Sequence, residues 1–125
     1  MANRKRYLEA TAKKLWIELA LKVWGEKCEI CGNRATVVHH YIPKGRSKLL
    51  KHDIKNAVPL CQSCHYKIHF SSSPGEVHRL VEIIRKKRGK KWRDYIDAKE
   101  KEKLGGFYGV HYLEEVVENL RKLLE

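Results

Sequence analysis

The cysteines at the two ends of residues 28–64 have the types and the spacing of a metal site. They form two C-x-x-C pairs, Cys28/Cys31 and Cys61/Cys64. Four thiolates suit a tetrahedral zinc ion, and a closed site of this kind is structural. Because 29 residues separate the pairs, more than in a common zinc ribbon, we expect the zinc to hold together the two ends of a functional loop.

Histidines within and behind this loop form the second candidate group. His39 and His40 are adjacent in a stretch rich in β-branched and aromatic residues, which predicts a strand. Neighbouring strand residues point to opposite faces, so one histidine can bind a metal while the other faces a substrate. His65 and His69 share one face of a predicted helix, and both can contribute to a metal site. A surface or core role is the simpler interpretation for the other histidines, His52, His78 and His111.

The segment around these residues predicts two strands and a helix. Residues 35–42 predict the first strand, and residues 43–55 predict a basic loop. Residues 57–60 predict a short second strand, which Pro59 confines to a sheet edge. Residues 61–70 predict a helix, so the order indicates a ββα unit in which the cysteine knuckles join the strand end to the helix start.

Helices are predicted on both sides of this unit. Residues 4–24 carry apolar residues at steps of three or four, and Gly25 is the predicted C-cap. Residues 74–88, 91–104 and 111–124 predict three further helices. The apolar stripe of the first helix consists of Leu8, Ala12, Leu15, Leu19 and Val23.

The last predicted helix has an apolar stripe that two arrangements could bury. It could form the seam of a homodimer, or it could pack on the N-terminal helix, which is the simpler interpretation. Trp16 and Trp24 of the N-terminal helix are interpreted as packing residues. The C-terminal stripe consists of Leu113, Val116, Val117, Leu120 and Leu124.

The overall charge points to a polyanionic partner. The 125 residues, which we expect to form one domain, carry a formal net charge of +12. This charge favours nucleic acid first and an anionic membrane second. Residues 15–24, the most apolar stretch, contain charges and are too short to span a bilayer, so we expect no membrane partner.

The N-terminal residues MANRKRY contain no apolar segment of the kind found in secretion signals. We therefore expect a cytoplasmic protein. In a reducing compartment, two C-x-x-C pairs indicate a metal site rather than disulfides.

The order His40, Asn56, His65 around C-x-x-C…C-x-x-C resembles the HNH endonucleases, whose active unit is a ββα-metal fold. The fragment KNAVPLCQSCHYKIH is similar to the second half of that unit, and the arrangement with following helices resembles small phage-encoded HNH proteins. The resemblance implies a mostly helical α+β fold with a central ββα-metal unit and zinc knuckles. One nuclease domain, residues 1–125, would comprise an N-terminal helix (1–27), the metal core (28–70) and C-terminal helices (73–125).

The resemblance also implies a function, a metal-dependent DNA endonuclease of a phage-infected or other prokaryotic cell, acting in DNA processing or recombination. It implies His40 as general base, with His39, His65 and His69 binding one catalytic divalent ion. Asn56 would fix the loop through backbone hydrogen bonds. Cleavage would leave a 5′-phosphate and a 3′-hydroxyl.

One residue departs from the family pattern. Many members have an acidic residue immediately before the base, where this chain has His39. Imidazole ligands favour Mn²⁺, Ni²⁺, Co²⁺ or Zn²⁺ over Mg²⁺. We therefore expect a transition-metal ion to support activity better than Mg²⁺.

Basic residues near the predicted site are candidates for phosphate contacts, which set position without reading sequence. Four lie in the loop of residues 43–55, and seven lie in residues 85–93, a run without an acidic residue. A solvated helix face is the alternative for that run. The candidates are Lys44, Arg46, Lys48, Lys51, Arg85, Lys86, Lys87, Arg88, Lys90, Lys91 and Arg93.

Two other functions are consistent with the charge and the cysteines. A non-catalytic zinc-knuckle protein that binds nucleic acid needs the cysteine pairs and the basic surface. It does not need His39, His40, Asn56 and His65 in this order. An RNA-binding or ribosome-associated zinc protein explains the charge equally well and the histidines no better.

Overall fold

The computed structural model of the chain describes residues 2–125 and confirms a mostly helical α+β fold. The N-terminal helix α1 (Ala2–Trp24) precedes a small unit of two strands and one helix. Three helices, α4 (Pro74–Arg88), α5 (Lys90–Lys101) and α6 (Val110–Leu124), follow it.

The central unit has the predicted ββα order. Strand β1 (Val37–His40) pairs antiparallel with β2 (Ala57–Leu60), and the register places His40 opposite Ala57. Helix α3 (Gln62–Phe70) follows directly. The first strand is shorter than the predicted 35–42.

The connection between the strands differs from the predicted loop of residues 43–55. It contains a short helix, α2 (Lys48–Lys51), and a 3₁₀ turn, Ile54–Asn56. Ser47 caps α2 by accepting a hydrogen bond from the Leu50 amide, and the Leu50 side chain is fully buried. The Ser47 cap and the buried Leu50 side chain therefore stabilise a helical turn in a segment whose high charge predicted a loop.

The N-terminal and C-terminal helices pack against each other. Leu8, Ala12 and Leu19 of α1 share one buried cluster with Leu113 and Leu120 of α6. The buried part of the α6 stripe is therefore covered by α1, as the simpler interpretation predicted. Val23 was expected in the α1 stripe but is 52% exposed, whereas its neighbour Trp24 packs against both buried clusters at that end of the helix.

A second buried cluster fixes the central unit to α4 and α5. Leu50, Val58 and Leu60 pack there with Ile84 of α4 and Ile96 of α5. The predicted helix start is confirmed, since the Ser73 hydroxyl caps α4. Gly89 separates the two helices with a φ of +91°, a value that favours glycine. Helix α5 ends at Lys101, before the predicted 104.

A buried ion pair joins α4 to the first cysteine knuckle. The Arg88 guanidinium pairs with the Glu29 carboxylate, and each side chain is only 3% exposed. Arg88 also donates to the Ala57 carbonyl at 2.7 Å and lies 3.5 Å over the Trp24 ring. Arg88 is thus a structural residue rather than the DNA contact that the sequence predicted.

None of the helices in residues 2–125 combines the length and the hydropathy that crossing a bilayer requires.

Replacing Arg88 should strongly destabilise the fold. Arg88→Met leaves the Glu29 carboxylate buried without a partner, which should lower the free energy of unfolding by about 3–5 kcal/mol. Urea unfolding measures this loss. The neighbouring exposed Lys87 provides the control, since Lys87→Met should change it by less than about 0.5 kcal/mol. Equal stability of the two variants would contradict the structural role of the pair.

Candidate active site

The four cysteines converge as the spacing predicted. Their sulfur atoms all lie within 4.8 Å of one another, and all four thiols are free of disulfides. The first knuckle turns at Gly32, whose φ is +81°, and the Gly32 amide donates to the Cys28 carbonyl at 2.9 Å. Cys61 caps α3 by accepting from the Cys64 amide. We call these four residues the cysteine cluster.

The cysteine cluster fits a zinc ion by its donor set. Four sulfur ligands in a closed group are the donors of structural zinc sites. Burial raises the pKa of the Cys28 thiol, but three backbone amide hydrogen bonds outweigh it and lower the pKa to about 7. Burial raises the pKa of the Cys64 thiol, so the cluster as a whole becomes four thiolates only when an ion binds.

The three histidines predicted to bind one ion also come together. One ring nitrogen from each of His39, His65 and His69 lies within 4.8 Å of the others. His39 projects from β1 and is buried, whereas His65 and His69 lie one turn apart on α3, with ring nitrogens 3.0 Å apart. Burial, with a smaller contribution from the two neighbouring imidazoles, lowers the pKa of His39 to about 3. We call these residues the histidine trio; three imidazole nitrogens suit one divalent ion.

His40 lies on the other face of β1, as strand alternation requires. Its ring stacks on Trp16 of α1 with centroids 4.2 Å apart and planes 14° apart. Its Nε2 lies 3.0 Å from the Lys51 carbonyl oxygen. A carbonyl only accepts, so in the neutral ring Nε2 carries the hydrogen and Nδ1 holds the free lone pair. Burial lowers the pKa of His40 to about 4, so the imidazole is neutral near pH 7.

Trp16 was interpreted from sequence as a packing residue, and it also holds the His40 ring. The indole is 1% exposed, and its Nε1 donates to the Asp53 carbonyl at 2.9 Å. The plane of His40 is therefore set by α1, and its in-plane orientation is set by the carbonyl of Lys51.

Asn56 is fully buried and binds only backbone groups. Its Oδ1 accepts from the Ile42 amide at 2.7 Å, and its Nδ2 donates to the carbonyls of Ile42 and Leu50. These bonds fix both ends of the connection between the strands. Asn56 thus positions the connection through backbone hydrogen bonds, which is the role that the family resemblance implies for it.

One groove is lined by histidines from both faces of β1. This central groove has a volume of about 640 Å³ and is lined by His40, the histidine trio and one face of α1. The α1 face presents Arg6, Glu9, Lys13 and Trp16, spaced three or four residues apart. Sequence reasoning missed Lys13, although this helical spacing was its signal.

The predicted phosphate contacts divide into several groups. Lys44 and Lys51 line the central groove, and Lys48 lies next to it on α2. Arg46 pairs with Glu100. Arg85 donates to the Tyr41 hydroxyl at 2.8 Å and pairs with Asp97.

The run of residues 85–93 does not line the central groove. Arg93 donates to the Arg85 carbonyl at 2.8 Å, and Lys90 pairs with Asp94. Lys86, Lys87 and Lys91 are exposed on α4 and α5. The solvated helix face therefore describes most of this run better than a contact at the site.

His52 lies closer to the site than its sequence suggested. It lines the central groove and is half-buried, and burial lowers its pKa to about 4. Among residues 2–125 its Nδ1 is the one buried side-chain nitrogen or oxygen without a hydrogen-bond partner. No motif distinguished His52 from a surface histidine.

Comparison with known proteins identifies the segment that carries this geometry. Residues 28–71 match the family model described as HNH endonuclease. The segment is of the HNH type. Its four cysteines and its metal-competent histidines fit the zinc-containing form of that family.

One curated relative shares sequence with part of this chain. It is described as a mitochondrial DNA mismatch repair protein mutS homolog from Sarcophyton glaucum, and it is 44% identical over 52 residues. The match covers 38% of this chain and 5% of the relative. No solved structure gave a significant match.

Zinc bound to the cysteine cluster should be lost when one ligand is removed. Cys31 is exposed, so Cys31→Ser changes little packing but removes one sulfur from the cluster. We expect a lower zinc content by elemental analysis and a lower melting temperature, since metal binding contributes to folding. The control is Ser63→Ala, an exposed change between Cys61 and Cys64, which should keep its zinc. Full zinc content in Cys31→Ser would contradict a four-sulfur site.

Proposed function

We propose that this protein is a metal-dependent DNA endonuclease of the HNH type, in which His40 is the general base. One observation carries the proposal. The neutral His40 and the histidine trio occupy opposite faces of one strand end, yet they line the same groove. An imidazole base and an ion site beside one groove are the two components of phosphodiester hydrolysis.

The chain's own residues would move the proton. His40 Nδ1 takes a proton from a water molecule aimed at phosphorus, while Nε2–H stays bonded to the Lys51 carbonyl. The ring becomes an imidazolium, and the Trp16 face stacked on it favours that cation. A phosphate in the groove raises the pKa of His40, because a nearby negative charge favours the protonated ring.

The histidine trio would hold the catalytic ion. When bound, a divalent ion supplies polarisation of the phosphate and stabilisation of the leaving 3′ oxygen. His39, His65 and His69 would bind it through neutral imidazoles, and Asn56 would keep β1 and the connection in place. Arg6, Lys13 and Lys44 would attract the phosphate backbone into the groove.

The support for DNA as substrate is the family match together with the net charge of +12. The relative's printed description, a DNA mismatch repair protein, is in line with a role on DNA. Action in a phage or other prokaryotic cell belongs to the same proposal. A non-catalytic zinc-knuckle protein is the second candidate. This function does not explain why His40 and the histidine trio line one groove.

Replacing the base should abolish cleavage and preserve DNA binding. His40→Ala removes the proton acceptor, and general-base catalysis typically contributes about 10²–10⁴-fold to rate. Nicking of supercoiled plasmid measures cleavage, and fluorescence anisotropy measures binding. His78→Ala, an exposed change on α4, is the control and should keep both properties. Unchanged cleavage by His40→Ala would refute the assignment of the base.

The imidazole ligand set should make activity depend on the kind of ion. We expect plasmid cleavage to be faster with Mn²⁺, Ni²⁺ or Co²⁺ than with Mg²⁺, because imidazole binds these ions better. His39→Asp introduces the acid found in many family members and should raise the Mg²⁺ activity relative to the Mn²⁺ activity. Wild-type cleavage that peaks only with Mg²⁺ would contradict an all-imidazole site.

A further inference from the structure

Three lysines converge on one tyrosine beside the central groove. The ammonium nitrogens of Lys5, Lys48 and Lys51 lie 5.5, 5.3 and 5.1 Å from the centroid of the Tyr108 ring. Lys5 belongs to α1, and the other two belong to α2. We call these residues the lysine cluster. Three like charges around one ring attract an anion.

One member of the lysine cluster forms an ion pair. Lys51 pairs with the Glu9 carboxylate at 3.4 Å and donates to the Tyr108 hydroxyl at 3.0 Å. Within the described residues, Lys5 and Lys48 form no ion pair with a carboxylate, and Lys5 acts on the Glu9 charge from a greater distance. The two ammonium groups that remain are suited to the phosphates of a nucleic-acid strand.

Phe107 presents an open aromatic face next to this cluster. It is 88% exposed, the most exposed large apolar residue in the described chain. Its ring rests on Gly109, where an added Cβ would come within 2.6 Å of it. Glycine thus lets the ring lie against the backbone with its outer face free. An exposed aromatic face beside lysines is the arrangement on which unpaired bases stack.

The surface is continuous with the proposed site. Gly45 lines both the central groove and a neighbouring cavity of about 410 Å³, whose lining includes Lys48, Phe107 and Tyr108. Lys51 connects the two directly, since its carbonyl holds His40 and its ammonium group binds Tyr108. A strand with one phosphate at His40 can therefore follow Lys44 to the lysine cluster.

We infer that this surface binds an unpaired nucleotide next to the scissile phosphate, with phosphates at Lys5 and Lys48 and the base on Phe107. The inference rests on the proposed function and narrows its substrate to DNA with a single-stranded extension, gap or branch at the cleavage position. Bases inside a duplex are stacked on both faces and have no free face for Phe107. An unpaired base has a free face that can stack on the Phe107 ring.

Two DNAs that differ only in an unpaired extension test the inference. One is a blunt duplex, and the other is the same duplex with three unpaired nucleotides that include 2-aminopurine. Binding is measured by anisotropy without added divalent ion. Wild-type protein should bind the extended DNA more tightly and quench the 2-aminopurine. Phe107→Ala should weaken binding of the extended DNA roughly 5- to 150-fold, remove the quenching, and leave the blunt duplex unchanged.

Further variants separate stacking from charge and from loss of structure. Phe107→Trp should retain the preference for extended DNA, and Gly109→Ala should reduce it by displacing the ring. Lys48→Gln should weaken the binding of both DNAs and reduce the slope of log affinity against log salt concentration by about one. Tyr7→Ala removes an exposed aromatic ring that lines neither cavity and is the matched control.

The result that overturns the inference is unchanged binding of the extended DNA by Phe107→Ala, or an equal loss on both DNAs. Cleavage by wild type and His40→Ala is measured separately on the same DNAs. If wild-type protein cleaves and Phe107→Ala binds normally, the stacking surface is refuted and the nuclease stands. If stacking is present and no divalent ion supports cleavage, the nuclease is refuted.

Discussion

Strand alternation at His39 and His40 is the constraint on which the site depends. Adjacent residues of β1 must point to opposite faces, and the pairing of His40 with Ala57 fixes which face each takes. One face meets α3 and creates the histidine trio. The other meets α1 and creates the place for His40. A shift of one residue in register would exchange the two environments, separating His39 from His65 and His69 and His40 from Trp16.

That register is held by interactions on three sides. The Asn56 side chain binds the backbone at both ends of the connection between the strands, so its length is fixed. The cysteine cluster joins the segment before β1 to the start of α3. The buried Arg88–Glu29 pair then attaches the first knuckle to α4. The helices after the HNH segment are therefore part of its support, even though the family match ends at residue 71.

The parts of the fold that the sequence predicted are those encoded by local patterns. Cysteine spacing, strand alternation and the i, i+4 pair His65/His69 each specify a neighbourhood, and the structure has all three. Capping by Ser73 and the stop at Gly89 were equally local. Such local patterns can be interpreted without knowledge of the tertiary fold.

The residues whose roles the sequence did not predict are those that depend on partners distant in the chain. Arg88 looked like one cation of a basic run, and only its burial against Glu29, 59 positions earlier, makes it structural. Trp16 has a second role because its ring stacks on His40 of β1. Lys13 lines the groove from the same helix, whereas His52 lines it from the end of α2. Sequence periodicity gives the face of a helix, but it does not say what that face meets.

The electrostatics of the central groove follow from the replacement of an acid by His39. Within the described lining, Glu9 is the one acidic residue, and it already pairs with Lys51. A divalent ion on three neutral imidazoles would keep its full charge, so a phosphate would be the first anion to balance it. The same phosphate would favour protonated His40 and hold the ion more firmly, because linkage between two bound groups is reciprocal. An acidic ligand would weaken that coupling by supplying part of the negative charge in advance. In the proposed nuclease, the imidazole set would thus make tight ion binding depend on the presence of substrate.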